Sequence, residues 1–267
     1  MNVFEDKVII VTGASEGIGR ALCLALAPQK PKLVLAARNQ DRLEELKQEV
    51  ESKSAEAMVV PTDIVEETAC KHLVDETISA YGRLDCLVNN AGRTMWTTLE
   101  EMSDPSIIEQ IMRINYLGAA FCTYYALPHL KQSKGRIVGV SSVAGLTGVP
   151  TRTAYSASKH AMFGFFDSLR IELLETGVTV TMIAPDFVLS EIHRRAFNKD
   201  GKPLGTSPVQ EDKVMTAAEC AARIVKAMES RERLAILTAR GKVGRWVKLI
   251  APELIDRFAR KAIQDAK

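Results

Sequence analysis

Four apolar residues followed at once by a glycine-rich turn do most to limit what this chain can fold into. Val8-Ile9-Ile10-Val11 is short, β-branched and free of polar side chains. Such a run fits a strand buried on both faces, as in a parallel sheet. Thr12-Gly13-Ala14-Ser15-Glu16-Gly17-Ile18-Gly19 follows directly, and a helical pattern runs from Arg20 through Ala27. Glycines let the backbone approach a ligand closely, and the free N–H groups of a helix start favour an anion. One reading of Gly13, Ser15, Glu16, Gly17, Ile18 and Gly19 is therefore a phosphate cradle. The other is a strand–turn–helix connection that merely needs glycine. The spacing is Gly-x-x-x-Gly-x-Gly rather than the commoner Gly-x-Gly-x-x-Gly.

Pro28 and Pro31 stop the helix, and Leu33–Ala37 reads as the next buried strand, ending at Arg38. The residue that reads the ribose of a dinucleotide is expected at the end of this second strand. An acid there would bind the 2′-hydroxyl of NAD. A small neutral residue followed by a guanidinium instead leaves room for a 2′-phosphate and pairs with it, which favours NADPH. A surface arginine at a strand end is the alternative. Glu16 pulls the other way, since its carboxylate would lie near the same phosphate.

Asn39 fits an N-cap for a charged amphipathic helix over Asp41–Lys53. Ala57–Val60 is a third strand, followed by Asp63 and Ile64. Asp63 could accept from an adenine amine or cap the helix that starts near Glu66. Val65–Tyr81 is that helix, Leu84–Val88 a fourth strand, and Asn89-Asn90-Ala91-Gly92 follows it. Amides there can satisfy loose backbone groups, and small residues leave space for a ribose or nicotinamide. This alternation implies a parallel sheet with helices on both faces and ligands beyond the carboxyl ends of its strands.

Pro105–Leu130 reads as one long helix with Asn115 in its interior. Gly135–Ser142 is a fifth strand ending in two serines, and the loop Val143–Ala154 leads to Tyr155-Ser156-Ala157-Ser158-Lys159. On a helix, Tyr155 and Lys159 share one face. A free phenol titrates near pH 10, and a neighbouring ammonium favours the phenolate. Bringing it to about pH 7 takes roughly 4 kcal/mol, after which it can give and take protons at working pH. A chance i,i+4 pair is the bland alternative.

The glycine turn, Asn89-Asn-Ala-Gly92, Asn115, Ser142 and Tyr155-Ser-Ala-Ser-Lys159 together resemble the short-chain dehydrogenase/reductase family over residues 5–190. The resemblance implies a single doubly wound Rossmann-type α/β domain with seven parallel strands, and a nicotinamide cofactor. It implies a catalytic set of Asn115, Ser142, Tyr155 and Lys159. Hydride would pass between the cofactor and a carbonyl carbon. Ser142 would polarise the carbonyl oxygen, Tyr155 would protonate it, Lys159 would acidify Tyr155 and hold the ribose, and Asn115 would position a proton-relaying water. After the sixth strand, Val178–Ile183, Pro185 and Val188 match the part that holds the carboxamide. Asp186 replaces the family glycine, and Ser190 stands near the usual threonine. Residues 187–215 match the variable substrate loop, where Phe187, Leu189, Ile192 and Phe197 would line an apolar pocket. His160 is read as packing.

Ala217–Glu229 is a further helix and Leu234–Leu237 the last strand. The stretch 242–267 alternates Trp246, Leu249, Ile250 and Phe258 with Lys242, Arg245 and Arg257. It would pack on its own core or a partner subunit, attach to a membrane surface, or cover the substrate mouth. With Phe163-Gly-Phe-Phe166 it is similar to the hydroxysteroid-dehydrogenase-like branch, whose substrates are often lipidic, and the family resemblance implies a dimer or tetramer through the Pro105–Leu130 and Tyr155–Glu175 helices.

The bulk composition fits this expectation. The 267 residues suit one α/β domain, and a formal charge of +2 with no strong basic run points away from nucleic acid. Five cysteines lack metal-ligand spacing and read as buried thiols of a reducing compartment, so no metal is expected. The polar N-terminus does not read as a signal peptide. The sequence therefore predicts a cytoplasmic NADPH-dependent enzyme acting on a hydrophobic ketone or secondary alcohol. The alternatives are a 3-oxoacyl-thioester reductase and a non-catalytic NADPH-binding sensor or scaffold.

Overall fold

The computed structural model describes residues 2–209 and 214–264, side chains 262–264 excepted. The first apolar run forms β1 (Val8–Thr12), whose five residues are all buried. The glycine turn delivers the chain to α1 (Gly17–Leu26). Then come β2 (Lys32–Ala37), α2 (Gln40–Glu51), β3 (Glu56–Pro61), α3 (Glu67–Tyr81) and β4 (Cys86–Asn89). Asn39 caps α2 as expected, its Oδ1 accepting from the Arg42 amide at 2.9 Å. α3 ends on Gly82, in the left-handed region at φ +68°.

The expected long helix is continuous but not uniform. It comprises α4 (Ser106–Met112), a π-helical turn over Arg113–Leu117, and α5 (Gly118–Ser133). Asn115 sits in that π turn. Such turns open the regular backbone ladder and are frequent at functional sites. The chain continues through β5 (Arg136–Val140), α6 (Thr153–Glu172), β6 (Thr179–Ala184), α7 (Ala217–Glu229), β7 (Leu234–Ile236), α8 (Ala239–Ile250) and α9 (Pro252–Gln264).

All seven strands join one parallel sheet in the order β3-β2-β1-β4-β5-β6-β7. The strand period of two sorts the apolar side chains between two cores. Ile9, Val11, Leu33 and Leu35 meet α1, α2 and α7 on one face. Val8, Ile10, Val34 and Ala36 meet α3, α5 and α6 on the other. Strands buried on both faces explain why these segments read as unbroken apolar runs.

Residues 187–209 form an ordered loop docked on the segment after β4. Phe197 bridges to Met95 and Pro203, and its carbonyl accepts from the Trp96 amide at 2.8 Å. The tail forms α8 and α9, but α8 has no buried residue and Trp246, Leu249, Ile250 and Phe258 are exposed. No described tail residue lines the large cleft. Among the described residues, no helix is long and apolar enough to cross a membrane.

One glycine marks where helix and sheet edge meet. A methyl at Gly118 would lie 2.7 Å from the Ile64 carbonyl oxygen. Alanine is the better helix former by about 1 kcal/mol, yet here it forces α5 away from the turn after β3. Gly118→Ala is expected to lower stability by about 1–3 kcal/mol in urea unfolding. An unchanged or raised midpoint would contradict this packing.

Candidate active site

The cleft opens where the connections of β1 and β4 diverge to opposite faces of the sheet, the usual ligand position in an open α/β fold. Thr12 and Asn90 hold the two strand ends together. The Thr12 hydroxyl donates to the Val88 carbonyl at 3.2 Å and accepts from the Asn90 and Ala91 amides at 3.0 and 3.1 Å. Asn90 Nδ2 donates back to the Thr12 carbonyl at 2.9 Å. Gly13 adopts φ +67°, and a Cβ there would stand 2.8 Å from Ala91 Cα. At Gly19 a Cβ would stand 2.2 Å from the Gly13 carbonyl oxygen. Gly19 thus shapes the turn from beneath and does not line the cleft.

The cleft has a volume of about 830 Å³. Gly13, Ser15, Glu16, Gly17 and Ile18 line one end, with Arg38, Asp63 and Ile64 beside them. Asn90, Ala91 and Gly92 form the middle, and Tyr155, Lys159, Pro185 and Val188 the far end. The turn leaves helix N–H groups facing a space walled by small residues, so these residues fit a dinucleotide.

Glu16 does not stand alone in the phosphate turn. Arg42 and Arg195 each bind its carboxylate at 2.8 Å, so its charge is matched from α2 and from the substrate loop. Arg38 is exposed, with Asp63 at 3.9 Å. Asp63 Oδ1 accepts from the Val65 amide at 3.3 Å, which fixes the turn before α3 but does not cap that helix.

The far end is built on α6. Tyr155 and Lys159 lie one turn apart, both buried, with the Lys159 nitrogen 5.8 Å from the Tyr155 ring centre. Lys159 donates to the Val140 carbonyl at 2.9 Å. Burial without a counter-charge pulls its ammonium down to about 7. The Tyr155 phenol stands in the same buried surroundings. Burial pushes the phenol up, while the Ser142 hydroxyl and the Arg152 charge pull it back. Ser142 follows β5 and accepts from the Ala144 amide at 3.1 Å.

Asn115 is fully buried behind the cleft. Its Nδ2 donates to the Arg93 carbonyl and the Ser158 hydroxyl, both at 2.9 Å, and its Oδ1 accepts from the Arg93 amide at 2.8 Å. Both amide hydrogens are thus engaged with protein groups. The side chain clamps the Gly92–Arg93 backbone against α6.

Of the apolar loop residues, Phe187 and Ile192 line the cleft. Leu189 points outward, and Phe197 is buried beneath the Arg93 guanidinium at 3.6 Å. Asp186, in place of glycine, accepts two hydrogen bonds from Arg240 at 2.9 and 2.7 Å and so ties this loop to the start of α8. His160 is exposed rather than packed in a core, with Nδ1 2.8 Å from the Ser156 carbonyl. Sequence reasoning missed Arg152. It immediately precedes α6 and lines the cleft.

Comparison with known proteins decides the family. The model of the short chain dehydrogenase family matches residues 7–201. The chain belongs to the short-chain dehydrogenase/reductase family. It falls in the hydroxysteroid-dehydrogenase-like branch. A dehydrogenase/reductase SDR family protein 7-like of Dictyostelium discoideum is 35% identical, over 97% of this chain and 82% of its own. An 11-beta-hydroxysteroid dehydrogenase of Pinus massoniana is 35% identical, over 94% and 72%. A short-chain dehydrogenase/reductase from Burkholderia phymatum, solved in complex with NAD, superposes with a TM-score of 0.83. It is 25% identical and covers 95% of this chain and 96% of its own. As a short-chain dehydrogenase/reductase, this chain is an oxidoreductase with a nicotinamide-binding fold that takes a small-molecule substrate.

The lowered Lys159 value sets a pH dependence. Unfolded lysine titrates near 10.5 and the folded residue near 7. Between those values the unfolded chain binds the extra proton, so this residue makes stability rise with pH. Wild type should therefore gain stability relative to Lys159→Met from pH 7 to 9 in urea unfolding of the free protein. Parallel pH profiles would contradict a desolvated ammonium.

Proposed function

We propose that the chain is an NADPH-preferring reductase or dehydrogenase that interconverts a hydrophobic ketone and its secondary alcohol, with Tyr155 as general acid and base. The observation that carries this reading is the burial of Tyr155, Ser142 and Lys159 around one end of a dinucleotide-sized cleft. A bound nicotinamide cofactor supplies the hydride, which is its own chemistry. The glycine turn, Asn90–Gly92, Pro185 and Val188 would hold that cofactor.

The chain's residues handle the oxygen. Ser142 Oγ lies 3.4 Å from the Pro185 carbonyl, a long contact for a hydroxyl donor. Its proton can turn into the cleft and polarise a substrate carbonyl. Tyr155 then gives its proton to the developing alkoxide, or takes it in the oxidative direction. Lys159, titrating near neutrality, can supply the next proton and carry a positive charge beside the phenolate. Asn115 acts as a positioning residue that fixes Gly92 and Arg93. Ile114, Val149, Phe187 and Ile192 give the substrate end its apolar walls.

The small side chain of Ala37 and the exposed guanidinium of Arg38 support NADPH. Matching of Glu16 by two arginines removes the repulsion expected from its carboxylate. Exposed Tyr124 on α5, and Ile171 and Leu174 at the end of α6, support a homo-oligomer joined through these helices.

Tyr155→Phe should abolish turnover of every ketone in a panel while leaving NADPH binding within a few fold; full activity would sink the mechanism. Arg38→Asp should move the NADPH-to-NADH ratio of kcat/KM toward NADH by about 10-fold or more. An unmoved ratio would take Arg38 out of cofactor choice.

A further inference from the structure

Arg152 is the residue the mechanism does not use. It is 5% exposed, as deeply placed as the catalytic-site residues beside it. Its guanidinium lies 4.5 Å from the Trp96 ring centre, 4.9 Å from Phe187 and 5.9 Å from Tyr155. Rings over the face of a guanidinium stabilise its charge but accept none of its in-plane N–H groups. Here Nε and Nη2 are buried and have no hydrogen-bond partner among the described residues. Asp186, the carboxylate whose charge is felt at Arg152, already takes two hydrogen bonds from Arg240. Desolvation pulls Arg152 down to about 10.

The backbone holds the residue under strain. Thr151, just before it, adopts φ +66°, a left-handed conformation unusual for a β-branched side chain. Its carbonyl is fixed by the Thr97 amide at 3.0 Å. A buried, unpaired cation on a strained turn is costly unless something bound completes it. Arg152 lines the same cleft as Ser142 and Tyr155, at the end away from Arg38 and the phosphate turn.

We infer that the substrate carries a carboxylate a few bonds from its reacting carbonyl, and that the guanidinium of Arg152 binds it. The inference rests on the reading of this cleft as a carbonyl-reducing site and narrows it. The substrate is an amphipathic oxo acid or hydroxy acid, apolar along Ile114, Val149 and Ile192 and anionic at Arg152. A guanidinium fork suits a planar carboxylate better than a lysine would.

Two measurements test it. The chain has two tryptophans, so Trp246→Phe in the exposed tail leaves Trp96, which touches Arg152, as the only reporter. Hexanoate should change Trp96 emission saturably, and neutral hexanamide should not. Arg152→Met should weaken hexanoate binding about 10- to 100-fold. Equal responses to hexanoate and hexanamide would overturn the inference even if the Met variant failed to fold. Hexanoate binding that survives Arg152→Met would overturn it too. In turnover with NADPH, 5-oxohexanoate should exceed its methyl ester in kcat/KM, and Arg152→Met should collapse that ratio by a similar factor. An unchanged ratio with the ester still reduced overturns the carboxylate site alone. A Trp96 response specific to hexanoate, with no carbonyl reduced at all, supports the carboxylate site and overturns the functional reading.

Discussion

The clasp between Thr12 and Asn90 is the constraint on which the rest of the cleft depends. β1 and β4 are neighbours whose following helices lie on opposite faces, so their ends are pulled apart. The Thr12 hydroxyl and the Asn90 amide satisfy the backbone groups this divergence frees. Unpaired, each such buried group would cost about 1–3 kcal/mol. With the clasp made, the glycine turn can approach Ala91 closely. Everything that binds along the cleft is placed relative to this edge.

At the other end, electrostatics takes over from backbone geometry. Two cations, Lys159 on α6 and Arg152 just before it, are buried near a phenol. Among the described residues, neither has a carboxylate within ion-pair distance. Burial lowers the affinity of both for their protons and raises the phenol's hold on its own. A site of this kind favours negative charge arriving from a bound molecule. In the proposed reaction that charge is the alkoxide, and at Arg152 it is the substrate's carboxylate.

Much of this was legible in the chain because it depends on local chemistry. Val8–Val11 and Leu33–Ala37 announce buried strands by having no polar side at all, and the glycine turn needs its glycines for contacts a Cβ would break. Tyr155 and Lys159 meet because four residues make about one helical turn. What stayed hidden depends on distant partners. Asp186 looked like a misplaced glycine because Arg240, its partner, lies 54 residues on. The π turn at Asn115 differs from a regular helix by one hydrogen-bond step, which no apolar pattern records. Phe197 and Phe187 look alike in sequence, but only Phe187 reaches the cleft, since Arg93 covers the other. Arg152 drew no notice in the loop before α6, because burial without a partner is visible only once the loop is folded.

The central claim is that the cleft transfers hydride to a carbonyl carbon while Tyr155 protonates its oxygen. The most direct measurement follows the label. NADPH carrying deuterium at one face of C4 is supplied with 5-oxohexanoate, and the carbinol carbon of the product is read by mass spectrometry and NMR. Deuterium should appear at that carbon from one labelled face and be absent when the other face is labelled. An alcohol formed without deuterium from either face, or no alcohol formed from this or any other ketone, would contradict the account.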